Sequence, residues 1–196
     1  MRGRTRGMRM GQYGPAVRVM VLFTVLLGIA YPLAITGVGQ VAFHDRANGS
    51  RVEKSGTVVG SSLIGQSFAG SKRYFWGRPS AGGYDPLATG ASNLALDSSG
   101  LRKQVAQRRA QAAKADGVAP SRVAADALYA SGSGVDPQIS PAYAEQQVRR
   151  VAAARGLSAA TVRRLVAEHT QGRELGFLGE PRVNVLALNL ALDASH

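Results

Sequence analysis

The chain carries three histidines, His44, His169 and His196, and no cysteine. No two of the histidines stand three to five residues apart, the spacing that places two ligands on one helical face, so the sequence offers no histidine metal site. Lack of cysteine excludes disulfides, zinc thiolates, iron–sulfur clusters and thiol nucleophiles. The lysines Lys54, Lys72, Lys103 and Lys114 follow Glu53, Ser71, Arg102 and Ala113. A P-loop needs Gly-Lys after a glycine turn, because its backbone amides cradle phosphates that the lysine reaches, and none is present. Gly132-Ser133-Gly134 has two glycines of a dinucleotide fingerprint but lacks the third, and Pro137 interrupts the helix such a motif opens, so it reads as a turn. No serine is followed three residues later by lysine, and His169, directly after Glu168, reads as a helix-end residue rather than a triad base.

Binding chemistry concentrates in two loops instead. Tyr74, Phe75 and Trp76 lead into Arg78 and Pro79, where a guanidinium can bond a carboxylate bidentately or stack on an aromatic ring. Asp136 precedes Pro137 in a glycine-rich turn, where a carboxylate accepts nearby backbone amides or meets a cation. Two roles fit both residues: contact with a partner, or fixing their own loops.

These loops need elements to hold them. Thr57-Val58-Val59 followed by Gly60 to Gln66 predicts one or two short strands, and residues 68–93 predict a long irregular loop. Strong helix formers fill residues 100–115, with Ser99 as N-cap, Gly117 as terminator, Leu101 and Val105 on the buried side, and Arg102, Lys103, Arg108 and Arg109 on a solvated face that could also dock on acidic groups. Ser140-Pro141 opens a helix whose Ala144, Val148, Val151 and Ala152 share a face up to Gly156. Leu157 and Val162 flank Ser158 at staple spacing, predicting a second helix over 159–170. Arg163 and Arg164 make this pair imitate a DNA-reading helix-turn-helix, but packed hairpins with exposed arginines are far commoner. Residues 181–192 alternate and then turn to helical spacing, predicting a short strand running into a terminal helix.

Ahead of all this, residues 19–43 form 25 consecutive positions without a formal charge, 13 of them Val, Leu, Ile or Phe. As a helix they would reach about 37 Å, against about 30 Å of hydrocarbon. The run exceeds the apolar core of a cleavable signal and predicts a retained anchor. Arg2, Arg4, Arg6, Arg9 and Arg18 precede it without an acidic residue, which by the positive-inside rule puts 1–18 in the cytoplasm and 44–196 outside. The net charge of +12 then shrinks to 19 basic against 12 acidic residues in the outer part, and a nucleic-acid partner loses its support. The expected fold is α+β: one N-terminal transmembrane helix followed by one mixed α/β extracytoplasmic domain with a small sheet.

Short motifs in order carry a family resemblance. Tyr31-Pro32-Leu33, Gly39-Gln40, Gly60-Ser61 with Leu63 to Gln66, Tyr74-Phe75, Gly77 to Ser80, Ser92-Asn93-Leu94, Ala130 to Pro141, Arg155-Gly156-Leu157 and Gly179 to Leu186 before Asn189 resemble the C subunit of the Kdp potassium-transporting P-type ATPase over about residues 17–193. The resemblance implies an accessory, non-catalytic subunit in a bacterial inner-membrane complex, with a channel-like potassium-binding subunit, a phosphorylated pump subunit and the lipid bilayer as partners. It also attributes to the family a role as catalytic chaperone raising the ATP affinity of the pump; ATP and potassium would be used by the complex, with no cofactor held by residues of this chain. On this reading the partner contacts fall on Tyr74, Phe75, Trp76, Arg78, Ser80, Asn93, Asp136 and Gln138. The competing reading is an anchored extracytoplasmic enzyme such as a cell-wall hydrolase, which would be active alone.

Overall fold

A computed structural model describes Gly11 and residues 13–195, so Arg2, Arg4, Arg6 and Arg9 of the expected cytoplasmic segment lie outside the described residues. Contacts divide the chain into two compact units, ending and beginning at Ser50 and Arg51, and each is described by itself.

In the first unit one helix, α1 (Tyr13–Ala42), is long and apolar enough to cross a membrane, and it buries none of its apolar side chains within the chain. It starts ahead of Val19 and includes Arg18. Pro32 lacks an N–H, and its ring would meet the carbonyl four residues earlier. The helix absorbs this with a π-turn over Leu26–Ala30, in which the Tyr31 N–H donates to the Leu26 carbonyl. A short turn, α2 (His44–Ala47), follows. Its end is tied back by reciprocal amide bonds between Gln40 and Asn48, at 3.0 and 3.3 Å, and by Asn48 Nδ2 donating to the His44 carbonyl.

The second unit is a mixed α/β domain with two small antiparallel sheets. β1 (Arg51–Lys54) and β2 (Thr57–Ser61) form a hairpin whose two turn residues, Ser55 and Gly56, both have positive φ, the mirror-image turn that suits strand twist. After a long irregular stretch come α3 (Ser99–Asp116), the short α4 (Ala125–Leu128), β3 (Gln138–Ile139), α5 (Pro141–Arg155), α6 (Ala159–Glu168), β4 (Thr170–Gln171), β5 (Arg182–Asn184) and α7 (Val185–Ala194). β5 is the central strand between β3 and β4. The α+β expectation, with a single long apolar helix ahead of one mixed domain, describes this architecture.

Local chemistry explains the boundaries. Ser140 Oγ accepts the Tyr143 N–H with Pro141 in the first turn, and Gly156, at φ +69°, ends α5 in left-handed backbone. Ser158 caps α6 by accepting from the Thr161 N–H, and Asn184 does the same for α7 through the Ala187 N–H. At α3 the cap is Ser98, not the expected Ser99: its Oγ accepts from the Leu101 N–H at 3.1 Å. Both serines satisfy the same composition rule, and only the backbone, extended at Ser98, selects between them. The expected face of α3 also shifts. Ala112, Ala113 and Asp116 are its buried positions, Leu101 and Val105 are half-buried, and Arg108 is half-buried rather than solvated, donating to the Leu128 carbonyl and to Gln104.

Ala144, Val148 and Val151 of α5, Val162 of α6, Val183 of β5, Leu188 and Leu192 of α7, and Phe75 from the long loop are fully buried in one apolar core. Arg163 pairs with Glu145 and Arg164 with Glu168, so the arginines of α6 lie on its solvated side.

Candidate functional site: two loops on a polar frame

Residues 71–76 run through the domain without belonging to a sheet, so their backbone groups must find side-chain partners. They find four. Asn189 of α7 accepts the Phe75 N–H at 2.8 Å and returns its own N–H to the Phe75 carbonyl at 3.0 Å. Gln147 of α5 does the same for Trp76, at 2.7 and 3.1 Å. Arg150 donates to the carbonyls of Ser71, Lys72 and Tyr74 and stacks 4.1 Å over the Trp76 ring. Arg155 donates to the Arg73 and Leu192 carbonyls and lies 4.8 Å from the Tyr74 ring centroid. Asp116 neutralises Arg150 at 2.7 Å, both side chains being almost wholly buried, and its second oxygen accepts from Gln146.

This frame fixes where the aromatic residues go. Phe75 has no exposed surface and belongs to the core. Trp76 is half-buried and its indole N–H donates to the Ser71 carbonyl, while the Tyr74 hydroxyl donates to Asp193 at 3.3 Å. The framing role of Gln147, Arg150, Arg155 and Asn189 escaped sequence reasoning, which used Arg155 and Asn189 only as family motif residues, although a signal existed. Gln147 and Arg150 fall on the same buried face as Ala144, Val148 and Val151, and Asn189 interrupts the otherwise apolar Val185 to Leu192. A polar residue on an apolar face requires a partner.

Beyond Trp76 the chain emerges into loops that knit to one another. The Ser131 N–H donates to the Pro79 carbonyl, the Gly90 N–H to the Ser133 carbonyl and the Gly65 N–H to the Val135 carbonyl. Contact is close enough that glycine is required: a Cβ on Gly65 would stand 2.5 Å from the Asp136 carbonyl oxygen, and one on Gly134 2.8 Å from that of Gly90. The Tyr84 hydroxyl donates to the Arg78 carbonyl in a short bond, and the Tyr84 N–H donates to Ser80 Oγ. Burial, reinforced by the nearby Asp136 carboxylate, pushes the Tyr84 phenol up to about 12, so it stays a donor.

This lattice brings Arg78 and Asp136 together across 58 residues of sequence, at 3.2 Å. The other Asp136 oxygen accepts the Gln138 N–H at 2.9 Å. Arg78, Asp136 and Gln138 line one groove with Asp126, Glu180 and Arg182, a mixed-charge surface. The pair is about 30% exposed on each side, and Arg78 Nε is shielded without a hydrogen-bond partner among the described residues. Ser80, two residues after Arg78, accepts the Tyr84 N–H. Asn93 stands apart, exposed, with φ +50°. No group of three or more His, Asp or Glu residues capable of holding a metal occurs among the described residues.

A family model described as K+-transporting ATPase, c chain, matches residues 13–194. The chain belongs to this family. Relatives named potassium-transporting ATPase KdpC subunit include one from Kineococcus radiotolerans, 58% identical over 89% of both chains, and one from Sorangium cellulosum, 54% identical over 92% of this chain and 96% of the relative. A third, from Burkholderia mallei, is 51% identical over 93% and 96%. Family similarity thus spans the apolar helix and the loops of the second unit alike, over residues 13–194, and agrees with the resemblance read from short motifs.

Proposed function

We propose that this chain is the accessory, non-catalytic subunit of an ATP-driven potassium uptake complex in a bacterial inner membrane. Residues 19–43, most of them in helix α1, are its single membrane pass, residues 1–18 face the cytoplasm and residues 44–196 form an extracytoplasmic domain; the cluster of arginines before the span supports that orientation. The channel-like potassium-binding subunit and the phosphorylated pump subunit are its partners. Contact falls on the groove of Arg78, Asp136 and Gln138, with Ser80 and Asn93 on the flanking loops, whereas Tyr74, Phe75 and Trp76 contribute by setting where those loops stand.

The observation that carries this reading is the partly exposed Arg78–Asp136 pair with its unpartnered Nε. An arginine with a shielded, unsatisfied donor sits at a cost of about 1–3 kcal/mol, which its own partly solvated ion pair does not offset. A partner carboxylate or carbonyl that re-seats the guanidinium recovers that energy. The domain lies across the membrane from cytoplasmic ATP, so it raises the ATP affinity of the pump indirectly, as a coupling free energy passed through the other subunits. Two measurements test the proposal. Protease added to intact spheroplasts should digest residues beyond about 44, and protection there would overturn the orientation. The ATP concentration giving half-maximal potassium-dependent hydrolysis should rise when the chain is omitted from the complex; an unchanged value would remove the chaperone role.

A further inference from the structure

Beside the polar frame lies a cavity of about 330 Å³ that shares Arg78 with the Arg78–Asp136 groove. Its size falls at the lower end of small-molecule sites. Phe68 and Trp76 supply apolar wall, Arg78, Arg108 and Gln111 supply polar groups, and no acidic side chain lines it among the described residues. Tyr143, another wall residue, is only 3% exposed, yet its hydroxyl has no hydrogen-bond partner among the described residues. Its backbone is fully used, the N–H donating to Ser140 Oγ and the carbonyl accepting from Gln147. The hydroxyl is not among the buried unsatisfied atoms, so it opens onto the cavity as a donor that no side chain of the fold uses. Burial holds the Tyr143 phenol well above its ordinary range, with the Asp116 carboxylate adding to the effect, so the hydroxyl remains a neutral donor. Arg108 has committed two of its nitrogens, to the Leu128 carbonyl and to Gln104, which fixes its guanidinium beside the cavity.

An aromatic wall, a fixed cation, an unpaired phenolic donor and no opposing carboxylate select one kind of ligand. We propose that this cavity binds a small planar carboxylate, its ring against Trp76 and Phe68 and its carboxylate accepting the Tyr143 hydroxyl within the field of Arg108. The site is formed by the folded domain alone, and Arg78 and Ser80 line it as well as the proposed contact surface.

Trp76 is the single tryptophan of the chain, so its fluorescence reports occupancy directly. The full chain in detergent is titrated with benzoate, and in parallel with benzyl alcohol and with acetate. Benzoate should change Trp76 emission saturably, and benzyl alcohol and acetate should each bind at least about tenfold more weakly. Tyr143→Phe, which removes a hydroxyl bonded to nothing in the fold, should keep the melting temperature and weaken benzoate about tenfold, the factor a hydrogen bond to a charged group supplies. Equal binding of benzoate and benzyl alcohol would mean a merely greasy cleft, and a linear, unsaturable response would mean no site; either overturns the proposal. An unchanged benzoate affinity in a folded Tyr143→Phe chain would overturn the assignment of the phenol.

Discussion

Two aspartate–arginine pairs in this domain share their chemistry and differ in their surroundings. Asp116–Arg150 is 2.7 Å long with side chains 1% and 2% exposed, and Arg150 spends its remaining donors on Gln147 and three backbone carbonyls. Asp136–Arg78 is 3.2 Å long, about 30% exposed on each side, and leaves Arg78 Nε unbonded. The first pair is consumed by the fold: it holds the unladdered segment 71–76 in place of a neighbouring strand. The second is held in position by the fold and incompletely used by it. Burial with full satisfaction marks a structural pair, and partial exposure with a spare donor marks one open to a partner.

Breaking the buried pair gives the largest effect. Arg150→Met leaves Asp116 as an uncompensated buried charge and strands three carbonyls, so chemical denaturation should show a loss of about 3–5 kcal/mol. Gln147→Leu keeps the volume but deprives the Trp76 N–H and carbonyl of their partner, and the same measurement should show about 2–3 kcal/mol. Either variant retaining wild-type stability would mean that segment 71–76 does not depend on the frame.

A third site lies between the extremes. Burial alone would raise the pKa of Asp193, but bonds from Lys54 at 2.7 Å, Arg155 at 2.8 Å and Tyr74 at 3.3 Å outweigh it and hold the carboxyl at about 2, below its ordinary 3.8. Because the folded value lies below the unfolded one, this contribution is complete above about pH 4 and is lost as pH falls towards 2. Melting temperature against pH should therefore fall across that window, and Asp193→Asn should flatten the fall. A wild-type profile with no acid slope would contradict the arrangement.

Much of the fold was legible because it follows local rules. The Ser140-Pro141 cap, the Gly156 corner, the Ser158 cap and the strand-to-helix switch near Asn184 are each set by a few adjacent residues, and an uncharged run of 25 residues has one common use. The strand Arg51–Lys54 escaped notice because Arg, Glu and Lys outnumber its single Val, and a hairpin partner rather than its own pattern makes it a strand. Arg78 and Asp136 could be singled out by type, but their meeting could not, since it depends on loops whose backbones zip together across 58 positions. Tyr84, the loops' half-buried latch, looked like one more aromatic in an irregular stretch.

The central claim is that the open pair serves assembly while the closed pair serves folding. It is tested most directly by carrying Arg78→Ala with Asp136→Asn, beside the wild type, through one detergent purification from which the account expects the wild-type chain to emerge together with two larger membrane subunits. Asp136→Asn keeps an oxygen for the Gln138 N–H, so the melting temperature should change by no more than the ~1 kcal/mol a surface pair supplies. The account predicts a folded variant chain that no longer co-purifies with the two larger subunits. A variant of equal stability that co-purifies as the wild type does would contradict it, and so would one that unfolds as readily as Arg150→Met.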